Sequence, residues 1–131
     1  MKALVVDDSS TMRIFIKKIL VPASFEVLQA PHGKDALEVL RQHPDICLTL
    51  IDCNMPQMNG MDLLTSIRAD HAFDAMRIMM VTTEMEMSSV VRALERGANE
   101  YVMKPFTREV ILEKLRILGF AVPEEATQSA L

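Results

Sequence analysis

Four apolar runs in this chain end on residues able to do chemistry. Leu4-Val5-Val6 runs into Asp7-Asp8, and Ile46 to Ile51 runs into Asp52. Ile78-Met79-Met80-Val81 ends on Thr82-Thr83, and Tyr101-Val102-Met103 ends on Lys104-Pro105. Each run has the length of a buried strand, and ligands of open α/β sheets bind just beyond the carboxyl ends of their strands. If the four strands are parallel and adjacent, three carboxylates, a hydroxyl and an ammonium converge at one edge. Each residue alone has a plainer reading: Asp7 or Asp8 as a helix cap, Lys104 as a solvated charge, Thr82 as an ordinary strand end. Their joint placement at successive strand ends is what argues for a site.

Two unit charges about 4 Å apart repel by roughly 4 kcal/mol at an effective dielectric near 20. Asp7, Asp8 and Asp52, opposed only by Lys104, therefore predict a strained anionic pocket. A hard divalent cation relieves it. Mg²⁺ suits the site, because it takes one or two carboxylates, keeps several waters and leaves room for a phosphate oxygen. Such a pocket poises an aspartate as a nucleophile toward phosphorus, with Lys104 steadying the transferred group and Thr82 donating a hydrogen bond.

The elements that must hold these residues alternate along the chain. Strands are expected at Lys2–Val6, Phe25–Leu28, Ile46–Ile51, Met76–Val81 and Glu100–Met103. Between them lie segments of helical periodicity carrying Met12, Phe15, Ile16, Ile19 and Leu20, then Ala36, Leu37 and Leu40. The third helix turns Leu63, Leu64 and Ile67 inward and Arg68 and Asp70 outward. The fourth carries Met87, Val90, Val91 and Leu94, and the last buries Val110, Ile111, Leu115 and Leu118. Gly97 occupies a natural left-handed cap position, and Gly119 ends the last helix. Five strands alternating with five helices imply an α/β fold with one parallel sheet covered on both faces. Residues 1–119 are expected to form the domain and 120–131 a loose C-terminal tail.

At 131 residues the chain has the length of one domain, and half of it is apolar. Its net charge of −4 and lack of a basic run argue against nucleic acid. No apolar stretch reaches the length of a membrane span, so a soluble cytoplasmic protein without membrane insertion is expected. Cys47 and Cys53 lie about 20 Å apart along an extended chain, too far for a disulfide, and are read as free packing thiols. His32, His43 and His71 are scattered in polar contexts and are read as surface residues, not metal ligands.

These residues together resemble a response-regulator receiver domain, of the stand-alone chemotaxis (CheY-like) type. The resemblance rests on Asp7-Asp8, on Asp52-x-x-Met55-Pro56-x-Met58-x-Gly60, on Thr82, and on Lys104-Pro105-Phe106. Spacings agree as well: 44 residues separate Asp8 from Asp52, 30 separate Asp52 from Thr82, and 22 separate Thr82 from Lys104. The likeness runs from Lys2 to about Leu118. It implies a flavodoxin-like, doubly wound sheet of order 2-1-3-4-5, the order shared by flavodoxin and CheY.

By that resemblance Asp52 is the phosphoacceptor for a histidine kinase. Asp8, Asp52 and the Asn54 backbone carbonyl would hold Mg²⁺, with Asp7 acting through a water. Thr82 and Lys104 would bind the phosphoryl group, and Tyr101 would be the aromatic that changes rotamer on activation. A downstream protein would read the face formed by the fourth helix, fifth strand and fifth helix. There Met85 and Met87 offer a soft docking surface, and the chain would act as a monomer. Asn54 and Glu84 are both polar, as in receivers whose phosphoryl group is short-lived. The Lys104–Pro105 peptide would be cis. Asn59 stands where Asp is more usual, and Cys53 follows the phosphoacceptor.

The competing readings are a receiver inside a non-chemotaxis phosphorelay, a haloacid-dehalogenase-type phosphatase, a flavodoxin-like cofactor module, and a receiver that only scaffolds. The phosphatase needs a nucleophile and a second Asp two residues on after the first strand, where this chain has adjacent Asp7-Asp8. The cofactor module needs a phosphate-cradling turn at the same place, where two carboxylates would repel the ligand. The complete site argues against a scaffold alone.

Overall fold

The computed structural model describes residues 1–55, 58–83 and 87–123. Five strands, β1 (Lys2–Val6), β2 (Glu26–Ala30), β3 (Ile46–Asp52), β4 (Arg77–Thr82) and β5 (Glu100–Met103), form one parallel sheet in the order β2-β1-β3-β4-β5. Five helices alternate with them: α1 (Ser10–Leu20), α2 (Gly33–Gln42), α3 (Gly60–Arg68), α4 (Met87–Glu95) and α5 (Arg108–Ile117). A 3-10 turn, His71–Phe73, follows α3. The expected fold class and strand order are what the structure has.

The sheet separates two cores. Leu4, Val6, Ile51, Ile78 and Met80 face α2 and α3 through Leu40, Leu63, Leu64 and Ile67. Val5, Leu48, Leu50, Val81 and Val102 face α1 and α5 through Ile16, Leu20, Ile111 and Leu115. Burial on both sides explains why β3 reads as a nearly continuous apolar run and not as an alternating one. A register shift beside β1, where Lys2 pairs with Ile46 and Ala3 with Leu48, leaves Cys47 as the extra residue. Its thiol donates to the Lys2 carbonyl at 3.4 Å, and both cysteines are free.

Several expected boundaries and faces move. Strand β2 runs on to Ala30, because each residue of β1 through Val6 has a partner there, ending at Val6–Ala30. Strands β3 and β4 take in Asp52 and Thr82. Phe15 is largely exposed but meets the Phe106 ring at 5.6 Å, and Val91 is 61% exposed. Leu112 is buried although its place in the pattern did not single it out. His43 is half-buried, its Nδ1 3.4 Å from Lys2 Nζ, while His32 and His71 lie at the surface.

Arg68 is the clearest correction. It was expected to point outward, yet its guanidinium donates to Gly97 O, Phe73 O, Met76 O and Asn99 Oδ1 at 2.7 to 3.0 Å. Four acceptors at loop ends need a planar, multi-donor cation, which periodicity cannot reveal. Asp70 caps the 3-10 turn by accepting from Ala72 N–H. Packing also continues past Gly119: Phe120 meets Phe25 edge-on at 5.3 Å, and Val122 lies against the second core.

Candidate functional site

Parallel pairing brings the four strand ends to one edge. Val6 is level with Ile51, Asp52 with Val81, and Thr82 with Met103. The residues that follow β1 and β5, or close β3 and β4, are therefore neighbours in space. Asp7, Asp52 and Thr82 are buried there, whereas Asp8 is exposed at the rim.

The carboxylates are held from several sides. Asp7 Oδ1 accepts from Ser9 N–H at 2.9 Å, as the chain turns into α1 with Ser9 as its cap. Arg13, one turn inside α1, donates through Nη1 to the Asp7 carbonyl at 2.6 Å and through Nε to Gln29. Asp52 Oδ1 accepts from Asn54 N–H at 3.2 Å. Lys104 reaches both acids, with Nζ 3.6 Å from Asp7 Oδ2 and 3.5 Å from Asp52 Oδ1. Its backbone N–H donates to the Thr82 carbonyl at 2.7 Å, fixing the start of the loop that carries it. The Lys104–Pro105 peptide is cis. The Thr82 hydroxyl donates to the Thr83 carbonyl at 3.2 Å.

Burial pushes the Asp52 pKa up, and the nearby charge of Asp7 adds to this, while Asn54 N–H and Lys104 pull the other way. Asp7, Asp8 and Asp52 each offer an oxygen within 4.8 Å of the others. Asp7 Oδ2 is buried and has no hydrogen-bond partner. Three converging hard oxygens, one of them without a hydrogen bond and only 3.6 Å from Lys104, suit a small divalent cation bound by oxygen. Nothing softer than oxygen is offered by that cluster.

Tyr101 lies two residues before the end of β5, level with Met80, and its half-buried ring packs on the first core. Lys114 Nζ of α5 sits 4.8 Å from the ring centroid and pairs with Glu100 at 3.0 Å. Asn59, in place of the more usual Asp, caps α3 by accepting from Asp62 N–H at 2.9 Å. Pro56, Glu84 and Met85 lie outside the described residues. An apolar groove of about 340 Å³, lined by Met12, Phe15, Pro105 and Phe106, borders Lys104 at the rim. The roles of Arg13 and Lys114 were not foreseen, because a single basic residue on a helix carries no periodic or motif signal.

A family model described as the response regulator receiver domain matches residues 3–116. The chain belongs to this family. The receiver is 48% identical over 119 residues to the chemotaxis protein CheY1 of Helicobacter pylori, covering 90% of this chain and 96% of that protein. It is 45% identical over 130 residues to a chemotaxis protein CheY homolog of Campylobacter jejuni, covering 98% and 100%. Among solved structures it is similar to chemotaxis protein CheY4 of Vibrio cholerae, with a TM-score of 0.82, 30% identity, and 88% and 96% of the two chains covered. The receiver domain of NtrX from Brucella abortus superposes with a TM-score of 0.80 at 26% identity, covering 91% and 99%. These likenesses do not favour the phosphatase or the cofactor module. Among the described residues, no helix is long and apolar enough to cross a membrane.

Proposed function

We propose that this receiver accepts a phosphoryl group on Asp52 from a histidine kinase and signals in chemotaxis. The observation that carries this reading is Asp52 itself: 5% exposed, at the end of the central strand, with Lys104 3.5 Å away and two more carboxylates beside it. In the transfer, an Asp52 carboxylate oxygen bonds to phosphorus while the phosphorus–nitrogen bond of the donor's phosphohistidine breaks. The electron pair stays on the imidazole. Lys104 holds positive charge where phosphoryl oxygens arrive, and the Thr82 hydroxyl can turn from the Thr83 carbonyl to donate to them. The chain thereby catalyses only its own phosphorylation and dephosphorylation. The CheY relatives named above support the chemotaxis assignment.

The residues fit Mg²⁺, with Asp8, Asp52 and the Asn54 carbonyl as direct ligands and Asp7 acting through a water. When bound, the ion would offset negative charge on the carboxylates and the phosphoryl oxygens. Output is assigned to the face of α4, β5 and α5, where Tyr101 answers a shift of Thr82. We take residues 1–119 as the receiver and 120–131 as its tail, acting as a cytoplasmic monomer.

The test is an intact-mass measurement after adding acetyl phosphate and Mg²⁺. Wild type should gain one phosphoryl group, and Asp52→Ala should gain none. A gain persisting undiminished in Asp52→Ala, or one unaffected by excess chelator, would sink the assignment.

A further inference from the structure

Beside the acidic pocket, and sharing Asn54 with it, a polar cleft of about 380 Å³ opens between the loop after β3 and helix α4. Asn54, Asn59 and Asp62 line one wall, and Ser89, Arg92 and Arg96 the other. Arg92 lies in the last turn of α4 and Arg96 four residues on, one past its end, where its N–H still donates to the Arg92 carbonyl at 3.1 Å, and both side chains line this cleft. Two like charges at that spacing cost a helix a few tenths of a kcal/mol unless something negative joins them. Among the described residues neither arginine forms an ion pair. Asp62, the one acid in the lining, stands in the first turn of α3, where the helix N-terminus already favours its charge. Glu95, exposed on the same helix, reaches neither arginine within ion-pair distance.

The cleft thus holds two arginines with no ion pair among the described residues, at the C-terminal end of α4 and directly against the Asp52 loop. Asn54, on its wall, is the residue whose N–H holds Asp52 Oδ1. The adjoining pocket has the opposite character, with three carboxylates against one lysine, in a chain of net charge −4. The protein's own charges there repel a small dianionic phosphate donor until a cation offsets them, whereas a pair of guanidinium forks is suited to phosphate oxygens. Local positive charge beside a site raises the concentration of anions at its mouth. We propose that the Arg92–Arg96 cleft is a capture site for small anionic phosphodonors, such as acyl phosphates, that then phosphorylate Asp52. The donor role rests on the reading of Asp52 as phosphoacceptor; the anion site does not. Once the donor reaches the pocket, the bond from an Asp52 oxygen to phosphorus forms as the phosphorus–oxygen bond to the acyl group breaks, and the carboxylate leaves with the electron pair.

Both arginines are exposed and, among the described residues, neither forms an ion pair, so the double variant Arg92→Ala/Arg96→Ala should fold. Two measurements test the idea. In Asp52→Asn protein, titrated with inorganic phosphate, the amide shifts of Asn54 and Ser89 should saturate, and the arginine variants should abolish that saturation. In protein with Asp52 intact, acetyl phosphate should need at least about threefold more donor for half-maximal phosphorylation after loss of both arginines. The saturating rate should stay unchanged, and Arg92→Lys/Arg96→Lys should recover much of the loss because charge is kept. Phosphate shifts that never saturate, or that survive the double Ala change, would overturn the anion site. An unchanged half-saturating concentration, or a loss confined to the saturating rate, would overturn the donor role. Saturable phosphate binding in a wild type that never gains a phosphoryl group would instead overturn the Asp52 reading and leave the anion site standing.

Discussion

Gly60, the first residue of α3, lies against the backbone of Asp52. A Cβ at Gly60 would stand 2.5 Å from the Asp52 carbonyl oxygen and 2.8 Å from Cys53 Cα. Backbone cannot step aside as a flexible side chain can. Gly60 N–H also donates to the Cys53 carbonyl at 3.2 Å, so the loop from Asp52 to α3 closes on itself here. The glycine is needed for this close approach.

Gly60→Ala should therefore cost about 1–3 kcal/mol, the usual range for forcing extra volume into a packed place. It should also slow phosphorylation of Asp52, because the loop must shift. Denaturant melts and intact-mass time courses check both. A stable Ala variant phosphorylated at the wild-type rate would show that the loop has slack.

The sequence was enough to place Asp7, Asp8, Asp52, Thr82 and Lys104 at one edge, because each ends a run whose apolar character comes from burial on both faces. It could not show Arg68 as a clamp. An arginine at a helix end looks the same whether it meets water or four acceptors brought together by tertiary structure. Nor could it show the Arg92–Arg96 cleft, since the facing residues Asn54, Asn59 and Asp62 lie about thirty to forty residues away in sequence. Strand ends were missed by a residue or two for a related reason: pairing with a neighbour, not local pattern, decides where β2 stops.

Burial and Asp7 raise the Asp52 pKa in the folded chain. The folded state therefore holds that proton more tightly than the unfolded state does. The contribution is present below the ordinary value and is lost as pH rises through the raised one. Without divalent cations, Asp52→Asn should be more stable than wild type at pH 7, with the gap closing as pH falls toward about 4. Each kcal/mol should appear as roughly 3–6 °C in Tm for a domain of this size. Mg²⁺ should reverse the order: at a hundred times its Kd it adds about 2.7 kcal/mol to wild type, and less to Asp52→Asn. Melts at several pH values, with Mg²⁺ or chelator, decide this. A less stable Asn variant in chelator at pH 7 would contradict it.

Arg68→Ala should destabilise the domain by about 2 kcal/mol, since the carbonyls of Gly97, Phe73 and Met76 lose a charged donor. Arg68→Lys should recover little, because one ammonium cannot span four acceptors. Local effects should centre on Asn99, whose side chain also accepts from Ile78 N–H at 2.8 Å. Amide exchange should speed up at Ile78 and Asn99 before it does in β1 and β3. Unchanged protection there would mean that the clamp holds nothing together.

Tyr101 is the only tyrosine, and the chain has no tryptophan, so intrinsic fluorescence reports this one ring. Phosphorylation adds about −1.5 to −2 charge and three acceptor oxygens. Thr82 can serve them only by leaving the Thr83 carbonyl, which disturbs the strand end beside β5. The ring is restrained from the other side by Lys114, 4.8 Å from its centroid and anchored by Glu100. A cation over an aromatic face contributes about 0.5–1 kcal/mol at a partly exposed site. Removing it should shift a two-state ring equilibrium about two- to fivefold. Acetyl phosphate with Mg²⁺ should therefore change tyrosine emission in wild type and leave Asp52→Asn unaffected. Lys114→Ala should move the resting signal part of the way toward the phosphorylated one, while still gaining one phosphoryl group by mass. Tyr101→Ala should keep phosphorylation at Asp52 and lose the response at the α4–β5–α5 face. If phosphorylation left tyrosine emission untouched, and amide shifts appeared mainly in α2, the output would not run through Tyr101.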